Sequence, residues 1–106
     1  MPLTHSFKHT VKARVERDQP FRDALLAEGV ATLLAGDMDT GKAILRDYIN
    51  ATVGFEKLAE ATGTPAKSLM RMFGPRGNPN ARNLFAVIQS LQADAGISLH
   101  VSADAA

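Results

Sequence analysis

Lys67, Arg71, Arg76 and Arg82 are the only charged residues between Ala61 and Ala93 of a 106-residue chain. Four cations with no carboxylate among them attract phosphate. Local charge governs that attraction better than the chain's net charge of +1. The rest of the chain is balanced or acidic: residues 1–60 hold eight cations and nine acids, and two more acids follow Ala93. Lys67 and Arg71 stand four residues apart, so a helix puts both on one face together with Ala66 and Met70. Long cations beside apolar side chains suit the major groove, where cations meet phosphate and guanine edges and apolar groups meet the thymine methyl.

Other chemistry finds little support. With no cysteine in the chain, disulfides, thiolate zinc sites and cysteine nucleophiles are excluded. His5 and His9 have the i, i+4 spacing of a metal pair, but no third ligand accompanies them, and two surface histidines are the better account. The sequence contains no nucleophile–base pair, phosphate-cradling glycine loop or ligand cluster, so no enzyme, catalytic residue, metal or cofactor is expected. Arg46-Asp47-Tyr48 is polar enough to suggest an active site and reads more simply as a charged helix face. No apolar run reaches the length of a membrane span and no signal-peptide pattern opens the chain, so a cytoplasmic protein is expected.

The basic face needs elements to present it, and the segment from Leu58 to Gly74 supplies them. Leu58, Ala59 and Thr62 share one face of a short helix. Gly63 offers the left-handed backbone that ends helices. Thr64 can cap the next helix, with Pro65 at its first position. Leu69, Met72 and Phe73 form the inward stripe of that second helix. Small Ala59, then Gly63, then apolar Leu69 is the spacing of a helix-turn-helix.

Around this pair the periodicity predicts further helices. The first covers 4–18, with Thr4 as its cap and Phe7, Val11 and Val15 inward. The second runs from Pro20 to Ala35 on Phe21, Leu25, Val30, Leu33 and Leu34. The third starts at Asp37 or Asp39 and carries Ile44, Leu45, Tyr48, Ile49 and Val53. After the turn-rich Gly74–Asn80 segment, Asn80 caps a helix over 81–95 whose core residues are Leu84, Phe85, Ile88 and Leu91, and Gly96 stops it. Ile97-Ser98-Leu99-His100-Val101-Ser102 alternates apolar and polar, as a half-buried strand does. The expected fold is therefore all-α, with five to six helices and one short C-terminal strand. It divides into a helical extension over 4–53, a helix-turn-helix core over 54–95, a dimerisation strand over 97–102 and a tail over 103–106. A lone strand needs a partner, and a second copy of the chain is the simplest one, with Ile97, Leu99 and Val101 at the interface.

Leu58-Ala59, Gly63, Leu69, Gly77-Asn78-Pro79 and Leu84, Ile88, Leu91 together resemble the phage-repressor (Cro/Xre-type) helix-turn-helix module. More narrowly, residues 3–101 are similar to the HigA-like antitoxins, small antidote proteins of bacterial addiction modules. Arg17-Asp18, Phe21-Arg22, Leu34-Ala35-Gly36-Asp37, Arg46 to Thr52, Lys67 to Met72, Gly77-Asn78-Pro79 and Ala81 to Leu84 carry that similarity. It implies a DNA-binding transcriptional regulator, usually paired with a small toxin whose operon it represses. It places Lys67, Ser68, Met70 and Arg71 on the recognition helix and Pro65 and Ala66 in its N-terminal turn. With Thr64 and Arg76 these make up the expected DNA-binding set. Phe55 departs from the pattern, standing where classical phage repressors often place a glutamine that touches phosphate. The expected partners are a palindromic duplex operator, a second copy of the chain and a cognate toxin. The alternative is an antitoxin that chiefly masks its toxin and binds DNA weakly or not at all.

Overall fold

The computed structural model describes the backbone of residues 3–105 and the side chains of residues 10–105. The Thr4 cap, Phe7 and the His5/His9 pair lie outside the described side chains. Six helices follow one another: α1 (Leu3–Arg17), α2 (Gln19–Leu34), α3 (Met38–Ala51), α4 (Phe55–Thr62), α5 (Ala66–Met72) and α6 (Ala81–Ala95).

Short polar side chains start three of these helices. Asp18 accepts a hydrogen bond from the Phe21 amide at 3.1 Å, Asp37 from Thr40 at 3.2 Å and Asn80 from Asn83 at 2.8 Å, each satisfying an amide that the first helical turn leaves without a partner. Asp37 rather than Asp39 is thus the cap of α3. At the α1–α2 corner Arg14 lies 4.2 Å over the Phe21 ring and 3.3 Å from the Asp18 carboxylate. The Phe21 amide, and after it the Arg14 and Arg17 charges, hold the Asp18 carboxyl below its usual value.

α2 and α3 pack most intimately, because glycine lies at the crossing. A methyl on Gly29 would sit 2.7 Å from Leu45 Cδ2, and one on Gly41 2.5 Å from Leu33 Cδ2. One core joins the N-terminal helices to the rest: Leu26, Leu45, Tyr48 and Ile49 meet Phe55, Leu58, Leu69, Phe73, Leu84, Val87, Ile88 and Leu91. The Tyr48 ring is buried, and that burial pushes its phenol above the ordinary value.

Several sequence expectations need correction. Leu34 and Phe85 were expected inward, yet they are 65% and 61% exposed, and Leu26 and Val87 fill the core positions instead. Leu34 is the last residue of α2 and faces solvent, whereas its neighbour Leu33 meets Gly41 of α3. Phe85 follows Leu84, and the α6 face that carries Leu84, Val87, Ile88 and Leu91 turns it outward. Pro65 is the cap of α5, not its first helical residue, and Thr64 does not cap it.

No strand forms over 97–102 among the described residues. A strand is defined by a ladder with a second backbone, and here two of the amides are satisfied by α6 instead. Gly96 turns left-handed at φ 71°. The Ile97 amide then donates to the Gln92 carbonyl at 3.1 Å and the Leu99 amide to Gln92 Oε1 at 2.8 Å. The segment folds back against α6, with Ile97 and Leu99 half-buried on the core. Val101 is 81% exposed. No described helix is long and apolar enough to cross a membrane.

Candidate nucleic-acid interface

The turn between α4 and α5 is built from backbone geometry. Gly63 adopts φ 74° and its amide donates to the Ala59 carbonyl at 2.8 Å, a left-handed stop that a side chain at this position would resist. The Thr62 hydroxyl donates to the Leu58 carbonyl at 2.8 Å and accepts from the Thr64 amide at 3.3 Å, tying the turn to the end of α4. Pro65 is extended, and its carbonyl receives the first α5 bond, from the Leu69 amide at 3.0 Å.

Leu69 and Phe73 anchor α5 by full burial, and the Phe73 ring lies 6.4 Å from that of Phe55. Phe55 therefore serves the core, in keeping with its being apolar where a phosphate-touching side chain would have to reach outward. With those anchors inward, Lys67, Met70 and Arg71 are exposed. Ala66 was expected beside them. It is half-buried against the core, since the first turn of α5 leans onto it.

The loop after α5 folds back over the helix end. Phe73 closes the last turn through Leu69, the Gly74 amide donates to Arg71 at 3.1 Å, and the Gly77 amide donates to Gly74 at 3.0 Å. Gly77 lies so close to the Arg71 and Met72 carbonyls that a methyl there would be 2.7 Å from the Met72 carbonyl carbon. This return brings Arg76, Gly77 and Asn78 alongside Thr64, Ser68, Arg71, Met72 and Asn83, around an open polar cleft of about 280 Å³. Arg71 and Arg76 supply charge, Asn78 and Asn83 supply amides, Thr64 and Ser68 supply hydroxyls, and no acid lines the cleft. Such a set recognises a phosphate oxygen or the donors and acceptors of a base edge.

Of the expected DNA-binding residues, Thr64, Ser68, Arg71 and Arg76 converge on the cleft. Exposed Pro65, Lys67 and Met70 lie on the surrounding surface. Asn78 and Asn83 were missed as site residues, although the Asn78-Pro79-Asn80 turn was visible in the sequence. Two further residues bear on the cleft: Lys42, which carried no expectation, and Arg46, which was read only as part of a charged helix face. Lys42 on α3, only 3% exposed, donates to the Gly74 carbonyl at 2.9 Å and the Gly77 carbonyl at 2.7 Å. One turn on, Arg46 donates to the Phe73 carbonyl at 3.3 Å. The polar face of α3 thus closes the C-terminal end of α5.

No group of three or more potential metal ligands occurs among the described residues. No family model, curated protein or solved structure matches the chain.

Proposed function

We propose that this protein is a sequence-specific duplex-DNA-binding regulator, the antitoxin of a toxin–antitoxin pair, that represses its own operon by blocking polymerase at an occupied operator. The observation carrying this reading is the meeting of exposed Arg71 and Arg76 at the acid-free cleft beside α5, with exposed Lys67 on the same helix. A short helix anchored by Leu69 and Phe73 presents these cations outward, as major-groove reading requires. The test is a gel shift on the native upstream DNA with a Lys67→Ala/Arg71→Ala variant. Each lost phosphate contact lowers the salt slope by about one, and a lost base contact costs about 1–3 kcal/mol. Unchanged affinity in a folded double variant would reject the assignment.

The regulator acts as a homodimer in this proposal. Exposed Val101, at the end of the segment that carries half-buried Ile97 and Leu99, is available to a second copy. Pairing of two 97–102 segments across a two-fold axis supplies each with the ladder it lacks alone, and sets the recognition helices about 34–36 Å apart on a palindromic operator. Val101→Glu, at a position outside the core, should give a folded monomer by light scattering. A dimer that persists would place the interface elsewhere.

A second reading, in which toxin masking is the main work, draws on the α2–α3 corner. Leu34 and Met38 are both exposed there, next to Asp37 and Asp39, an apolar pair in an acidic setting that suits a basic protein surface. A protein that neutralises the product of its neighbouring gene yet shifts no upstream DNA would favour this second reading.

A further inference from the structure

We infer that Lys42 and Arg46 determine the sequence specificity of DNA binding without touching DNA, by fixing the C-terminal end of α5 and the loop that carries Arg76 and Asn78 to the cleft; this rests on the DNA-binding reading above. α5 has seven residues and no side-chain cap at its start, and a helix of two turns does not hold itself in water. Its apolar anchors fix it on one side only. What remains is its C-terminal end, where carbonyls point away from the helix without intrahelical partners.

Just beyond it, the carbonyls of the cap residue Phe73 and of the following loop are met by two cations four residues apart on α3. The Lys42 ammonium bridges Gly74 and Gly77, at 2.9 and 2.7 Å, and the Arg46 guanidinium reaches Phe73 at 3.3 Å. Charge-assisted bonds at a helix C-terminus also complement its dipole. Between the two bridged carbonyls lie Pro75 and Arg76, so the same ammonium sets where Arg76 leaves the backbone and where Asn78 enters the cleft. Lys42 is 3% exposed, and its charge is directed at the carbonyls rather than at solvent. Phosphate attraction tolerates an ångström of play, whereas a bidentate contact to a base edge does not. Removing the clamp should therefore spare charge-driven binding and erode base reading.

The experiment compares the native upstream duplex with a scrambled duplex of equal length and composition, using wild type, Lys42→Met, Arg46→Met and Arg46→Lys. Circular dichroism confirms folding at the assay temperature. The expected result is an affinity for the upstream duplex about tenfold lower in each Met variant, the scale of one base contact. Affinity for the scrambled duplex and its salt slope should be unchanged, and Arg46→Lys, which keeps a donor, should recover most of the preference. An unchanged preference in folded Met variants overturns the inference. So does an equal loss on both duplexes, which would mark a phosphate contact or a general loss of structure. If Lys42→Met does not fold, the half-buried Arg46 carries the comparison. If wild type shows no preference for upstream DNA, the functional reading fails, and the clamp is judged by amide exchange at Gly77. Exchange there that is no faster in either Met variant overturns the clamp itself.

Discussion

Gly77 offers a sharp test of the packing behind α5, because its neighbours are backbone atoms that cannot swing aside. A methyl at this position would fall within the shells of the Arg71 and Met72 carbonyl oxygens and 2.7 Å from the Met72 carbonyl carbon, where ordinary contact begins at 3.4 Å. The two backbones must therefore part by at least about 0.7 Å. That movement takes the Gly77–Gly74 bond of 3.0 Å and the Lys42–Gly77 bond of 2.7 Å to or beyond the limit of useful geometry. Losing a neutral bond of about 1 kcal/mol and a charge-assisted one of about 1.5–3 kcal/mol puts Gly77→Ala at about 2–4 kcal/mol of destabilisation. For a chain of this size that is a drop in Tm of roughly 9–18 °C. The control is three residues away: a methyl on Gly74 would lie 3.4 and 3.5 Å from the nearest carbonyl oxygens, and Gly74→Ala should melt within about 0.5 kcal/mol of wild type. Thermal melts followed by far-ultraviolet circular dichroism distinguish the two. A Gly77→Ala protein as stable as Gly74→Ala would refute the account of how the loop closes the helix.

Other perturbations reach other parts of the molecule. Leu69→Ala removes the fully buried anchor of α5 and should cost about 2–5 kcal/mol in denaturant unfolding. Tyr48 is the only tyrosine, and burial, with lesser help from Asp94 and Asp23, raises its phenol above 10.0. Its contribution to stability is complete below pH 10.0 and lost as pH rises through the higher folded value, so absorbance titration should show ionisation above pH 10.0 together with unfolding. The Asp18 carboxyl is lowered from 3.8 by the Phe21 amide and the Arg14 and Arg17 charges. Its contribution is present above pH 3.8 and lost as pH falls through the folded value, and melts of Asp18→Asn between pH 2 and 5 should lack that component.

What the sequence revealed and what it concealed divide along the range of the interactions involved. Gly63, Gly96 and Asn80 act within three or four residues of themselves, and their roles as stops and cap were legible from position alone, whereas Asp37 and Asp39 stood as equal candidates until the Asp37–Thr40 bond decided between them. The inward Leu69 and Phe73 followed from helical period. Phe85 misled because a large apolar residue beside a stripe is indistinguishable, by period, from one within it; only the packing of α6 favours Val87. The segment 97–102 alternated as a strand does, yet a ladder requires a second backbone, and Gln92 takes the Ile97 and Leu99 amides instead. Lys42 was the least legible residue. Its partners lie 32 and 35 positions further along, and nothing local separates a lysine that caps a distant turn from one on a solvated face.

That separation bears on the order in which the molecule is assembled. α4 and α5 can approach each other through Gly63 with little chain to arrange, but the carbonyls of Gly74 and Gly77 find their ammonium only once α3 has docked. Closing a span of more than thirty residues is slower and entropically dearer than closing a turn. The C-terminal end of α5 and its following loop are accordingly expected to be among the last parts to acquire their final form. A fragment of 54–95 taken alone would contain both helices of the motif while lacking the donors that terminate the second, so the N-terminal helices complete this domain rather than decorate it.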